Sequence, residues 1–206
     1  MRTKTLLFAA ALSAASMAAS LAQDAVFSVN AVGYVNKTLS PGLNLISNPL
    51  NNGDNTLNTI IPDIAPFTTA SFFNGSGFDQ SLFVPGAGWT PNVESNPGSG
   101  FFVDVAAETT VTFVGEVPQG ELATEIPAGL SVVSSQVPQA GDLAGDLGFA
   151  PGAFDVASVF NGTGFDQSVF VPGVGFSPAV NLEVGQAIFV QAAAPVTWSR
   201  TFSVND

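Results

Sequence analysis

The chain contains no cysteine and no histidine, and only four lysine and arginine residues stand against 16 acidic ones. Without histidine or cysteine, a Ser-His-Asp triad, a cysteine nucleophile and a Cys/His zinc site are all ruled out. Without cysteine, disulfides are excluded and stability has to come from packing. The scarcity of basic residues excludes the counterion release on which nucleic-acid binding depends, and it disfavours anionic membrane surfaces. No Walker-type or dinucleotide glycine pattern lies between a strand and a helix, so the glycines read as turn residues. Ser-Lys chemistry would have to use Lys37, which lies close to Tyr34 in an N-terminal leader.

Two of the four basic residues, Arg2 and Lys4, precede the apolar stretch Leu6 to Leu12, and small residues end at Ser20-Leu21-Ala22. That order is expected of a secretory signal peptide over residues 1–22. The stretch is too short and too rich in Ala and Ser for a membrane span, and no other run is long enough for one. The product is therefore expected to be exported, to the extracellular space, the cell surface or the periplasm, with no transmembrane segment. Only Lys37 and Arg200 then remain basic, so the exported chain is strongly acidic. With 46% hydrophobic residues, 10% charged residues and 18 phenylalanines, it has the material for a folded core rather than a disordered chain.

Residues 71–86 read SFFNGSGFDQSLFVPG and residues 158–173 read SVFNGTGFDQSVFVPG, an offset of 87 between Asn74 and Asn161. The offset holds without a gap on both sides. Gly42-Leu43 matches Gly129-Leu130, Pro91 matches Pro178, and Phe102-Val103 matches Phe189-Val190. Such self-similarity indicates an internal duplication. The turn residues Pro118-Gln119-Gly120 divide it into a first unit, 23–118, and a second, 119–206. The first unit carries an extra leader of strand character, Val26 to Thr38. Phe27-Ser28-Val29-Asn30 recurs as Phe202-Ser203-Val204-Asn205, which suggests pairing of terminal strands.

Each unit reads as an all-β meander, a small sandwich or barrel with at most one short helix. Apolar, β-branched runs alternate with Gly/Pro/Asn punctuation. In the first unit the strands are expected near Leu43–Ser47, Thr69–Phe73, Phe78–Val84, Gly100–Val105 and Val111–Val114. Asn74-Gly75-Ser76-Gly77 predicts a hairpin, since Asn-Gly readily takes positive φ. A short helix is expected at Asn55–Ile61, with a weaker counterpart at Asp142–Leu147. Alternation puts Phe78, Leu82 and Val84 on one face, read as the core face, and Asp79 and Ser81 on the other. Phe83 and Phe170 fall on the polar side, where an aromatic ring must cover a second layer, a neighbouring unit or a ligand. Phe73 and Phe160, Phe78 and Phe165, and Phe102 and Phe189 are expected to be equivalent and buried.

Gly42-Leu43-Asn44-Leu45-Ile46-Ser47-Asn48-Pro49, then Phe73-Asn74-Gly75, then Pro97-Gly98-Ser99-Gly100-Phe101-Phe102-Val103 together resemble a known module. They are similar to the β-rich repeats of bacterial secreted and cell-surface proteins, whose units open on Gly-Trp-Asn-Leu-Ile-Ser. Leu43 and Leu130 stand where that pattern has Trp. The second unit has Ser135-Gln136 in place of Asn48-Pro49. The resemblance implies a non-catalytic surface or accessory module and carries no active-site residues.

Three candidate chemistries remain. Asp79 and Asp166, one per unit, resemble the paired aspartates of aspartic proteases, but Gln80-Ser81 and Gln167-Ser168 follow where that family has Thr or Ser and then Gly. They read as solvated strand residues. Asp54 in Asn51-Asn52-Gly53-Asp54-Asn55, and Asp142 with Asp146, lie in oxygen-rich loops of the kind calcium takes, though no EF-hand or nonapeptide spacing is complete. A glycan site would use exposed aromatics. Its candidates are Trp89, which follows the turn Pro85-Gly86-Ala87-Gly88, its counterpart Phe176, and Phe83 with Phe170, although a packing role explains the Trp-to-Phe exchange better. The function expected is that of an exported, non-catalytic structural or adhesive protein whose partners are surface or matrix polymers or further copies of itself. A carbohydrate-binding accessory module is the alternative.

Overall fold

The protein is described by a computed structural model covering residues 31–205. The signal segment 1–22, the leader residues before Ala31, and the pairing suggested for Phe27–Asn30 lie outside the described residues.

The described chain is almost entirely antiparallel β-structure. In order come β1 (Val32–Leu39), β2 (Gly42–Ile46), a single-turn helix α1 (Leu57–Ile60), β3 (Thr69–Phe73), β4 (Phe78–Val84), β5 (Gly88–Thr90), β6 (Phe101–Val105) and β7 (Thr109–Glu116). The second half follows with β8 (Gly120–Ile126), β9 (Gly129–Ser134), the two-residue β10 (Gly141–Asp142), β11 (Val156–Phe160), β12 (Phe165–Val171) and β13 (Gly175–Ser177). It ends with the two-residue β14 (Asn181–Leu182), β15 (Ala187–Ala192) and β16 (Val196–Phe202). Each half has a five-stranded sheet, ordered β2-β6-β3-β4-β5 in the first and β9-β15-β11-β12-β13 in the second. A two-stranded ribbon accompanies each sheet, β1 with β7 and β8 with β16. The strand that looked like an extra leader is therefore not extra, because β8 pairs with β16 as β1 pairs with β7. The expected helix over Asp142–Leu147 is absent: Asp142 ends β10 and the residues after it form turns.

Each half closes over its own apolar layer. In the first, Ile46, Ala70, Trp89, Phe101 and Val103 of the sheet meet Leu39, Val111 and Phe113 of the ribbon, with Leu57 and Ile60 of α1 closing one end. In the second, Ala157, Phe176, Ile188 and Val190 meet Ile126 and Trp198, with Leu143, Leu147 and Phe149 at the corresponding end. The arrangement is a β-sandwich, two layers around a dry interior.

The hairpins follow from their side chains. Asn74 Oδ1 accepts the backbone N–H groups of Ser76 (3.2 Å) and Gly77 (2.9 Å), and Gly75 supplies a φ of 93°. Asn161 does the same with Thr163 and Gly164, at 3.1 and 2.8 Å. These turns set the pairing of Phe73 opposite Phe78 and of Phe160 opposite Phe165.

The facing of β4 is the reverse of the expected one. Ser81 is buried and Phe83 packs against the interior, whereas Phe78 and Leu82 are exposed. Both faces of this strand carry apolar groups, so alternation alone does not decide which one meets the ribbon. Ser81 fits inside because its hydroxyl donates to Pro91 O at 2.6 Å. Phe83 fits because it meets Trp89 edge-on, with ring centroids 5.5 Å apart.

Candidate functional site

The outer faces of the two five-stranded sheets meet each other. Leu45, Phe102, Ala187 and Phe189 are buried between them, with Phe73, Val132 and Phe160 packed around. Backbone groups tie the contact together in matched pairs. Ser47 N–H donates to Gly185 O and Ser134 N–H donates to Gly98 O, both at 3.0 Å. Ile46 bridges to Gln186 and Ser99 bridges to Val133. Every one of these residues has its counterpart 87 positions away in the partner interaction, so the two halves face each other about a pseudo-two-fold axis.

That axis also decides one small residue. Gly100 is the counterpart of Ala187. A Cβ on Gly100 would overlap the Ala187 Cβ and would stand 2.9 Å from Val132 Cγ1. Only one methyl fits at the axis, so the sequence breaks its own repeat there.

Beside the axis the sheets part into a groove of about 520 Å³, within the range of small-molecule sites. Six phenylalanines line it in matched pairs. Phe73 meets Phe189 at 5.5 Å and Phe160 meets Phe102 at 5.2 Å, both edge to face. Phe78 adds to Phe102 at 5.9 Å, and Phe165 adds to Phe189 at 5.3 Å. Leu43 and Leu130 complete the walls, and Ser71 and Gln80 are the polar side chains of the lining. Phe102 and Phe189 are buried, Phe73 and Phe160 half-buried, while Phe78 and Phe165 remain 47% and 45% exposed. The expectation that all six would be buried therefore fails for the outermost pair. These rings stand on the outward face of their sheets, where nothing among the described residues covers them.

The residues expected to bind a ligand lie elsewhere. Trp89 and Phe176 are buried at 1% and 7% exposure. The Trp89 indole N–H donates to Ile61 O at 2.8 Å, which satisfies its polar edge inside the core. Phe83 and Phe170 pack edge-on against Trp89 and Phe176. All four pack in the cores, Trp89 and Phe176 from the edge strands β5 and β13 and Phe83 and Phe170 from the strands beside them.

The acidic candidates serve their own loops. Asp54 accepts Thr56 N–H at 3.1 Å and the Thr59 hydroxyl at 2.9 Å. Hydrogen bonds from the Thr56 side chain and backbone and from Thr59 hold its carboxyl below the usual carboxylate range. Asp142 Oδ1 accepts Ala144 and Gly145 N–H, and Asp146 Oδ2 accepts Asp142 N–H. Among the described residues, no three His, Cys, Asp or Glu residues gather as a metal-ligand set. Asp79 and Asp166 are exposed, each bonded to the asparagine of its own hairpin at 3.2 Å.

The two basic residues of the described chain are also engaged. Lys37 Nζ pairs with Glu183 across the halves at 2.8 Å, and that hydrogen bond and charge lower the Glu183 pKa. Arg200 donates to Gln139 at 2.6 Å, and its guanidinium lies 5.3 Å from the centre of the Phe202 ring.

No protein-family model, curated protein or solved structure matches the chain. No helix among the described residues is long and apolar enough to cross a membrane.

Proposed function

We propose that the chain is an exported, non-catalytic structural or adhesive protein that receives apolar groups of a partner in the phenylalanine groove. One observation carries the reading. A concave surface of paired aromatic rings is left uncovered, with Phe78 and Phe165 about half exposed and no charged side chain in the lining. An uncovered apolar concavity of this kind marks an interaction surface. The carbohydrate alternative is less well supported. Both tryptophans are fully buried, and Ser71 and Gln80 offer few hydrogen bonds to a sugar.

The test is a titration of the exported chain with Nile red, a neutral apolar dye. Saturable binding is expected, weakened at least tenfold in a Phe78→Ser/Phe165→Ser variant. A dye that binds both proteins alike would remove the groove from the function. A glycan array with strong hits that survive the same double substitution would favour the carbohydrate module instead.

A further inference from the structure

Phe67 and Phe154 occupy equivalent positions, and each is 68% exposed. Their φ angles are 66° and 65°. Each is the third residue of a four-residue turn, closed by Thr68 N–H on Ala65 O in one half and by Asp155 N–H on Gly152 O in the other. Positive φ at that place is the province of glycine and asparagine, and a bulky side chain there is an outlier. The strand bulges at the same point. Phe67 N–H donates to Phe83 O while Phe83 N–H donates to Thr68 O, so two residues stand opposite one, and Phe154, Asp155 and Phe170 repeat the pattern.

The surrounding residues show that the turn itself does not require phenylalanine. Ala65, Pro66 and Thr68 in one half become Gly152, Ala153 and Asp155 in the other. Only the residue least suited to the backbone is common to both. Its ring is mostly in solvent, so it adds little to the fold. An apolar side chain held twice in a strained conformation, where glycine would satisfy the backbone, is explained by no contact among the described residues and points to a role in binding.

We propose that Phe67 and Phe154 are the groups the groove receives, supplied by another copy of this chain; the inference rests on the groove being the binding surface. The groove is the open continuation of the interface between the halves. That interface already packs phenylalanine edge to face, so an incoming ring finds the same geometry. The numbers of donors and acceptors agree, with two tips per chain and two equivalent walls per groove. Phe67 lies in the turn that precedes β3 and Phe73 ends that strand, roughly 20 Å apart at the rise of an extended strand. A tip therefore does not reach the groove wall of its own half, and the contact joins different patches of successive molecules. Such head-to-tail contacts build rings where the rotation closes and open chains where it does not. The acidic surfaces repel one another, so added salt promotes assembly.

The test is sedimentation velocity of the exported chain over a wide concentration range, at low and high salt. The unmodified chain should form larger species as concentration and salt rise. A tipless variant, Phe67→Gly/Phe154→Gly, and a groove variant, Phe78→Ser/Phe165→Ser, should each sediment as monomers. Mixed together they should form a complex, since one retains the groove and the other retains the tips. Glycine suits the turn, so the tipless variant should melt at or above the temperature of the unmodified chain. Should the groove variant not fold, Leu43→Ser/Leu130→Ser on the groove walls takes its place.

An unmodified chain that stays monomeric throughout would overturn the proposal. So would a tipless variant that assembles normally, or a mixture that forms no complex. Nile red separates the two readings. Dye binding by a chain that never assembles leaves the groove standing and removes the tips, whereas dye binding that ignores the groove substitutions removes both.

Discussion

In the first half the interior is built on Trp89, Phe101, Val111 and Phe113; the same positions in the second half hold Phe176, Ile188, Trp198 and Arg200. Phe72 stacks on Phe101 at 4.9 Å in one interior, where the other has Val159 and Ile188. The indole changes strand, from β5 to β16, yet both indoles donate to a backbone carbonyl at the same end of the sandwich, Ile61 O and Leu147 O. The outer faces behave differently. Leu43, Ser71, Phe73, Phe78, Gln80 and Phe102 recur unchanged as Leu130, Ser158, Phe160, Phe165, Gln167 and Phe189. Interiors tolerate exchange of large and small groups as long as total volume and patterning are kept. A surface that must meet a fixed shape does not. Within this chain, identity between the halves follows the groove and the turn phenylalanines more closely than it follows the cores.

The sharpest way to break that comparison is at the axis, where the groove and the interface share residues. Phe102→Ala should cost about 3–5 kcal/mol, the range for removing a buried ring, and Phe189→Ala should cost a similar amount. Phe78→Ala, on a half-exposed ring, should cost well under half as much. Urea titration of the three variants checks this, and equal costs for Phe78 and Phe102 would undo the distinction between floor and rim.

A smaller effect tests the symmetry itself. Gly100→Ala adds a second methyl at the axis and should destabilise by roughly 1–3 kcal/mol, as overpacking does. Ala187→Gly alone should cost about 1 kcal/mol through backbone entropy and the lost methyl. The double swap exchanges the two residues about the axis, so it should recover most of the Gly100→Ala loss. Additive costs would mean that the two positions are not true counterparts.

Relief of turn strain should act in the opposite direction. Strain of this kind is worth on the order of 1–3 kcal/mol per residue, partly offset by the greater flexibility of unfolded glycine. Phe67→Gly should therefore raise the melting temperature by a few degrees, and Phe154→Gly by a similar step. Calorimetry that finds a fall in both would show that the rings stabilise the fold.

The smallest effect is expected at the charged contact between Lys37 and Glu183. The Lys37 hydrogen bond and charge depress the Glu183 carboxyl below its ordinary value of 4.5. A depressed acid stabilises the fold above its unfolded value, and that contribution is lost as pH falls through the folded value. Glu183 is 80% exposed and Lys37 17%, so solvent screening limits the pair to about 0–1 kcal/mol. Glu183→Gln should lower stability slightly at neutral pH, and the gap from the unmodified chain should close as pH falls through the depressed Glu183 value. The symmetry-related places hold Thr124 and Asn96, so the ion pair is not repeated there.

Much of the architecture was legible in the residues. The punctuation at Asn74-Gly75 and Pro85-Gly86 marked the strand ends, and β3 and β4 begin and end where their apolar runs do. The 87-residue spacing anticipated that the seven strands β1 to β7 each have a counterpart in the second half, which adds the short β10 and β14. The site was less legible. Phe78 was read as core because its strand has apolar groups on both faces, and Trp89 as a surface candidate because a turn precedes it. The groove did leave one readable sign: Leu43, Phe73, Phe78 and Phe102 recur identically as Leu130, Phe160, Phe165 and Phe189, whereas interior positions such as Phe101 and Ile188 differ.

Local chemistry, then, determined by itself that this chain forms antiparallel strands, where its hairpins turn, and which positions are equivalent, since those depend on alternation, turn residues and spacing along the chain. Which face of each sheet became interior was decided only when the ribbons β1–β7 and β8–β16 settled on one side and the opposite sheet on the other. Burial is a property of what lies across the gap, and residues far apart in sequence supply it. Phe73 and Phe189 are brought together by the axis alone, and so are Gly100 and Ala187. The groove exists because two similar surfaces meet there without closing completely.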